Sequence, residues 1–136
     1  FLLGLTRFLP SKLYLISPQS LRVKSDVREA LVSSRIDFEE ISWLEEVISE
    51  LDVLYVTRLQ KERFPDPSEY ERLRGTYRIT KSLLREAKNR MIILHPFPRR
   101  EELSPDVDET PHAKYFEQVS LYIPVAMAIL KSSMQQ

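Results

Sequence analysis

The run Asp52–Phe64, DVLYVTRLQKERF, constrains this chain more than any other stretch. Val53, Leu54, Tyr55 and Val56 make the short apolar block of a buried strand, and a dense polar cluster follows with no Gly or Pro between. Such a strand delivers polar groups to its C-terminal edge, where open α/β sheets bind ligands; Thr57, Arg58 and Gln60 stand there. The Arg58 guanidinium is a planar fork of donors that can grip a carboxylate through two parallel hydrogen bonds, and Gln60 can add a neutral donor beside it. An Arg at a strand end is more often a solvated charge or half of a surface ion pair, so the run defines a candidate rather than a site.

The text before it alternates. Lys12–Ser17 reads as a buried strand closed by Pro18. Val23–Ser33 reads as a helix capped by Ser25, with Val27, Ala30 and Leu31 on its inner face. Asp37–Ser42 has only Phe38 and Ile41 as apolar residues, the pattern of an edge strand. A helix over Ser42–Leu51 is then expected, with Trp43, Leu44, Val47, Ile48 and Leu51 inward and Ser42 and Glu45 at capping-box spacing. Strand, helix, strand, helix, strand calls for parallel pairing through right-handed crossovers.

After Arg58 the text turns irregular at Phe64-Pro65-Asp66-Pro67, an ordered but movable surface loop, and Ser68 is the expected cap of a short helix ending at Gly75. Thr80 caps a further expected helix with Leu83, Leu84 and Ala87 inward. Met91–His95 is the most hydrophobic strand, and it runs into HPFPRR, where Pro96 and Pro98 remove two backbone donors and fix two φ angles. The carbonyls of Pro96 and Phe97 are thereby held at the same sheet edge as Arg58, as acceptors for an ammonium or amine group; a rigid strand exit with no ligand would read the same way. Thr110-Pro111 has the form of an N-cap and first helical residue and opens an expected long helix that Pro124 must bend or interrupt. Ile123, Val125, Ala128, Ile129 and Leu130 give that helix an apolar stripe for docking. His112, in its first turn, reads as a surface or packing residue before a catalytic base.

Composition removes several classes. With 136 residues the chain is about one domain, able to bury roughly two-thirds of its unfolded surface. Twenty basic and 20 acidic residues leave no net field to attract nucleic acid or an anionic membrane. The absence of Cys excludes disulfides and a thiol nucleophile and fits a reducing cytoplasm, and two distant His residues argue against a metal cluster. Gly4 and Gly75 are the only glycines, so no dinucleotide-binding G-x-G-x-x-G exists. FLLGLTRFL, at the start, lacks the basic lead and cleavage site of a signal peptide; Leu2, Leu5 and Leu9 read as part of a helix stopped by Pro10. On that reading something precedes Phe1.

DVLYVTRLQKERF, DPSEYERLRGTY, ILHPFPRREEL and DVDETPHAKYFEQ, in that order and spacing, resemble the aspartate-binding domain of the aspartate transcarbamoylase family over about Lys12 to the end. The ornithine relatives carry a Cys in H-C-L-P, where this chain has Pro96. The resemblance implies an α/β, Rossmann-like, three-layer parallel sheet flanked by helices, with its first, central strand missing. It implies carbamoyl transfer from carbamoyl phosphate to the α-amino group of L-aspartate in pyrimidine synthesis, without metal or cofactor. Arg58 and Gln60 would bind the aspartate carboxylate, and Pro96, Phe97 and Pro98 would meet carbamoyl phosphate and aspartate through backbone. Thr57, Glu62, Arg63, His95 and Arg99 would be supporting residues, Glu62 holding Arg58 in place. No catalytic residue is assigned within this chain. Leu59–Tyr70 would be a mobile loop whose closure excludes water. A cytoplasmic homotrimer is implied, with regulatory chains as further candidate partners and no nucleic-acid or membrane partner.

Three departures qualify the resemblance. Phe97 replaces the usual Leu. Ser120, Leu121, Tyr122 and Ala126 stand where the family commonly has a Gly-containing turn and an Arg. The carbamoyl phosphate domain, and the first strand of the aspartate domain, are absent from these 136 residues. A missing central strand leaves two strand edges unpaired, at about 1–3 kcal/mol for each buried backbone group without a partner. The expectation is a chain that is part of a longer protein and inactive alone; the alternative is a non-catalytic relative that keeps the fold as a dicarboxylate-binding or interaction module.

Overall fold

The structure is a computed structural model that describes residues 1–64 and 66–135. Four short strands, β1 (Leu13–Ile16), β2 (Phe38–Ile41), β3 (Val53–Tyr55) and β4 (Ile92–Leu94), form two parallel pairs. In the first, Leu13 faces Phe38 and Ile16 faces Ile41; in the second, Val53 faces Ile92 and Tyr55 faces Leu94. The weak edge strand at 38–41 is therefore real, held by its pairing with β1 rather than by its own apolar content. Among the described residues β1 and β3 each pair with one strand only, so the four strands do not make one continuous sheet.

Among the described residues five α-helices accompany them: α1 (Leu2–Leu5), α2 (Ser25–Ser33), α3 (Pro67–Leu73), α4 (Tyr115–Ser120) and α5 (Tyr122–Ser133). Helix α2 buries the expected face around Leu31, but its N-cap is Lys24, with Ser25 its first helical residue. In α3 the cap is Asp66 rather than Ser68: its carboxylate accepts the Ser68 amide at 2.8 Å and the Ser68 hydroxyl at 2.6 Å. Asp is the better cap because a carboxylate satisfies both donors at once. The apolar start forms a helix of only four residues, because Leu9 has φ 44, which a helix cannot contain.

Two expected helices are single 3₁₀ turns. After β2, Trp43 stays extended (φ −128, ψ 131), so Ser42 caps nothing, and only Leu44–Glu46 coils. That one turn already places Leu44, Val47 and Ile48 in the core with Leu51 against it, so a longer helix would add no burial. Trp43 faces out, stacked on Tyr77 with centroids 5.9 Å apart. Before β4, Leu83–Glu86 is likewise 3₁₀; Thr80 Oγ1 accepts the Leu83 amide at 3.4 Å, and Leu84 is buried.

The tail departs most from expectation. Thr110-Pro111 opens no helix: the chain passes beside β4, the Ile93 amide donating to the His112 carbonyl at 2.8 Å and the Lys114 amide to the Ile93 carbonyl at 3.1 Å. Helix starts at Tyr115 and breaks at Leu121. Pro124, in the first turn of α5, has no N–H to give the Ser120 carbonyl, so α4 and α5 cannot run on as one ladder. No residue of α5 is buried, and Ile123, Val125, Ile129 and Leu130 remain exposed rather than docked on the described chain. No described helix is long and apolar enough to cross a membrane.

The main core gathers Leu54, Val56, Ile79, Leu84, Met91, Ile93, Leu103, Val107 and Tyr115 around β3 and β4; a smaller cluster of Leu15, Leu31 and Ile36 lies under α2. Both loops that leave the C-terminal ends of β3 and β4 rise from the larger core.

Candidate functional site at the ends of the second strand pair

Strand β3 ends at Tyr55, and Val56 continues it, its amide donating to the Leu94 carbonyl at 2.9 Å. The next residues leave the core. Thr57 is exposed, and Arg58, Leu59 and Gln60 are half-buried. Arg58 lines a cleft of about 330 Å³ together with Leu59, Lys61, Glu62, Tyr70 and Arg100. Arg58 Nη2 lies 4.0 Å from Glu62 Oε1, four residues on, in a loose pair. Lys61 pairs with Glu71 at 3.3 Å and sits 5.5 Å above the Tyr70 ring, which meets buried Phe64 edge-on. The loop is thus fastened to α3, and among the described residues the Arg58 guanidinium pairs only loosely with Glu62. The Arg63 side chain, and Pro65, lie outside the described residues.

Three cations, Arg58, Lys61 and Arg100, face one carboxylate around this cleft. Its surplus of positive charge suits an anionic ligand, and Arg58 supplies the planar fork that a carboxylate requires. Sequence reading missed Arg100, which comes from the second loop; the doubled Arg of HPFPRR was the signal that could have found it. Gln60 and the Pro96–Pro98 turn do not line this cleft, although they belong to the same two loops.

The second loop is built on His95, whose side chain is 1% exposed. Its amide donates to Gln118 Oε1 of α4 at 2.8 Å. The Phe97 amide donates to His95 Nδ1 at 2.9 Å, so that nitrogen is bare and the ring proton sits on Nε2. Nε2 then donates to Glu102 Oε1 at 2.9 Å, and the same oxygen accepts the Arg100 amide at 2.9 Å. Phe97 has φ 51, a conformation that costs a side-chain-bearing residue about 1–2 kcal/mol, and its ring packs on His95, Tyr115 and Phe116 at 5.4–5.8 Å.

Arg99 closes the loop. Its Nη2 donates to Asp108 Oδ2 at 2.7 Å, and Tyr115 also hydrogen-bonds Asp108. The Arg99 hydrogen bond holds the Asp108 carboxyl below its ordinary range against the opposing effect of burial. Burial first, and then the bond to Asp108, push the Tyr115 hydroxyl up. Thus Arg99 is committed to a structural pair rather than to a ligand. His112 is a packing residue, buried, its Nδ1 2.8 Å from the Met91 carbonyl.

Residues 2–133 match the family model described as Aspartate/ornithine carbamoyltransferase, Asp/Orn binding domain. This chain belongs to that family. Similar proteins include the aspartate carbamoyltransferase catalytic subunit of Thermofilum pendens, 60% identical over 96% of this chain and 42% of that protein. The catalytic subunit of Staphylothermus marinus is 54% identical over 96% of this chain and 42% of its own length. Among solved structures, the catalytic subunit of M. jannaschii aspartate transcarbamoylase superposes with TM-score 0.78 at 47% identity, covering 89% of this chain and 40% of that one. Aspartate transcarbamoylase from Trypanosoma cruzi in complex with carbamoyl aspartate and phosphate gives TM-score 0.69 at 35% identity, over 79% of this chain and 36% of that one. The Asp/Orn-binding domain therefore has the Rossmann-like α/β fold of these structures, and it spans about two-fifths of the length of the relatives it matches.

Proposed function

We propose that residues 1–136 are the aspartate-binding part of an aspartate carbamoyltransferase, which joins the carbamoyl group of carbamoyl phosphate to L-aspartate in pyrimidine synthesis. The observation that carries this reading is Arg58, presented at the C-terminal end of β3 in a cation-lined cleft, in a chain whose residues 2–133 match the family. Arg58 binds an aspartate carboxylate through its fork, and Gln60 donates beside it. The carbonyls of Pro96 and Phe97 accept hydrogen bonds from the amine and carbamoyl nitrogens. The α-amino group, as the free base, forms a C–N bond to the carbamoyl carbon; the carbon–oxygen bond to phosphate breaks, and phosphate departs with the bonding pair and takes up the proton that the amine nitrogen sheds. Contacts to phosphate come from sequence outside these residues. Arg63 is a further supporting residue, and the loop from Leu59 to Tyr70 closes over the reactants and removes water.

We place the protein in the cytoplasm as a homotrimer. Support for assembly comes from the relatives, which carry the name catalytic subunit.

Calorimetric titration of the protein as its gene encodes it, with L-aspartate and with N-(phosphonacetyl)-L-aspartic acid, tests the reading. Binding of both, with both lost in Arg58→Ala, is the expected result. A folded protein that binds neither would move the assignment to a non-catalytic relative.

A further inference from the structure

We infer that the buried His95–Glu102 pair is a positioning device that sets the direction of the Pro96 and Phe97 carbonyls toward the amino-acid substrate. The inference rests on the functional reading above and deepens it, because it assigns the orientation of those carbonyls to two side chains that touch no substrate.

The argument begins with what holds the turn. Both prolines lack an N–H, so between His95 and Arg99 the backbone donates only through Phe97. That single donor goes to His95 Nδ1. Phe97 pays about 1–2 kcal/mol for its φ of 51, and this hydrogen bond is the polar interaction that pins it there. The bond requires one tautomer. If the proton sat on Nδ1, two donors would face one another and the turn would lose its anchor.

Glu102 chooses that tautomer. Its Oε1 accepts from Nε2 and so draws the ring proton to the far side from Phe97. The same oxygen accepts the Arg100 amide, so it fixes the distance between the two ends of the loop. Glu102 is 8% exposed, and a buried carboxylate on two donors has no reason to swing toward water. Gln118 accepts from the His95 amide and so fixes the backbone from which the ring hangs. Backbone carbonyls lie where their peptide planes lie. A turn fixed at 95, 97 and 100 therefore presents its acceptors in one direction before ligand arrives.

The test uses the whole protein as encoded. Ring nitrogen shifts of ¹⁵N-labelled histidine should show His95 with a bare Nδ1 and a protonated Nε2. Glu102→Gln keeps an oxygen acceptor and should leave the KM for aspartate within about threefold. Glu102→Ala should raise it about 10- to 100-fold, with little change in the KM for carbamoyl phosphate, and should speed deuterium exchange across residues 95–102. Since Glu102→Ala can fail to fold, His95→Asn and His95→Gln give a second arm. Asn keeps an acceptor where Nδ1 stands and should retain more aspartate affinity than Gln, which keeps a polar atom near Nε2. A proton on Nδ1, a folded Glu102→Ala with a lowered Tm but an unchanged KM, or the reverse order of Asn and Gln overturns the inference. Wild-type protein that binds no aspartate sinks the functional reading and this inference with it, an outcome distinct from the other three.

Discussion

Arg58 Nη2 and Glu62 Oε1 stand 4.0 Å apart on the loop after β3, the Arg side chain 33% exposed and the Glu 69% exposed. At that distance and exposure the pair is worth less than about 1 kcal/mol, so Arg58 is steadied but not neutralised. Two substitutions should therefore separate sharply. Arg58→Lys keeps the charge and loses the planar fork, and should weaken aspartate binding about 10- to 100-fold, the effect of losing a charge-assisted hydrogen bond of about 1.5–3 kcal/mol. Glu62→Gln should change it by less than about fivefold. Titration calorimetry of both variants checks the order, and equal losses would mean that Glu62 does more than steady its neighbour.

Asp108 supplies a pH dependence. Its carboxyl is held below the ordinary value of 3.8 by the Arg99 hydrogen bond, so the folded state binds its proton less readily than the unfolded state. The stabilisation is fully present above about pH 4 and is lost as pH falls through the folded value. Other carboxylates, including Asp52 and Asp106, are lowered too, so the slope of the wild type alone assigns nothing to Asp108. The difference between wild type and Asp108→Asn isolates it. That difference should be largest near pH 6 and shrink on acidification below pH 4, measured by thermal melts. A constant difference would mean that the loss comes from packing and not from charge.

Much of this molecule was legible in its text, and the failures have physical causes. Strands β1, β3 and β4 stand where short apolar runs placed them, and β2 where a sparse edge pattern did, because a strand needs only a few residues and a partner. The edge of β3 put Arg58 in a cleft because the change from Val56 to polar residues is abrupt. The helices expected at Ser42–Leu51 and after Thr80 shrank to single turns. Their apolar spacing held at buried Leu44, Ile48 and Leu84 and failed at Trp43, the extended residue before the turn, which points outward, and one turn satisfies that spacing as well as three. Thr110-Pro111 misled because the chain there spends its hydrogen bonds on Ile93 instead of on a helix. Arg100 was missed although the doubled Arg of HPFPRR pointed to it, and Glu102 was invisible as a site element, since its role depends on a turn at Phe97 with positive φ that no local pattern announces.

Ile93 is the residue through which the core reaches the site. It is fully buried, pairs with Leu54 of β3 in register, and exchanges backbone hydrogen bonds with His112 and Lys114 on its other side. Ile93→Val should cost about 0.5–1.5 kcal/mol and Ile93→Ala about 2–5 kcal/mol. Because the backbone ladder survives both changes, aspartate affinity of the folded protein should hold in Ile93→Val. Denaturant titration and calorimetry on the same samples check the two statements. A Val variant that is stable yet binds tenfold more weakly would show that side-chain packing, rather than the ladder, transmits order to the HPFPRR turn.

Trp43 is the only Trp in the chain, and at 49% exposure it stacks on Tyr77 with ring planes 9° apart. Tyr77 follows Gly75, whose φ of 79 ends the segment that begins at Arg58 and carries α3. On the proposed closure the loop moves against this end, and the stacked pair is the joint across which that motion would be felt. Trp43 emission should therefore shift on addition of N-(phosphonacetyl)-L-aspartic acid, and much less on addition of phosphate, which lacks the carboxylates proposed to meet Arg58. Tyr77→Ala should remove most of the shift while leaving the affinity within about fivefold, because a stack is worth about 0.5–1.5 kcal/mol and lies away from the cleft. An emission that ignores the ligand in a protein shown by calorimetry to bind it would mean that the segment closes about a hinge nearer Arg58, leaving Tyr77 at rest.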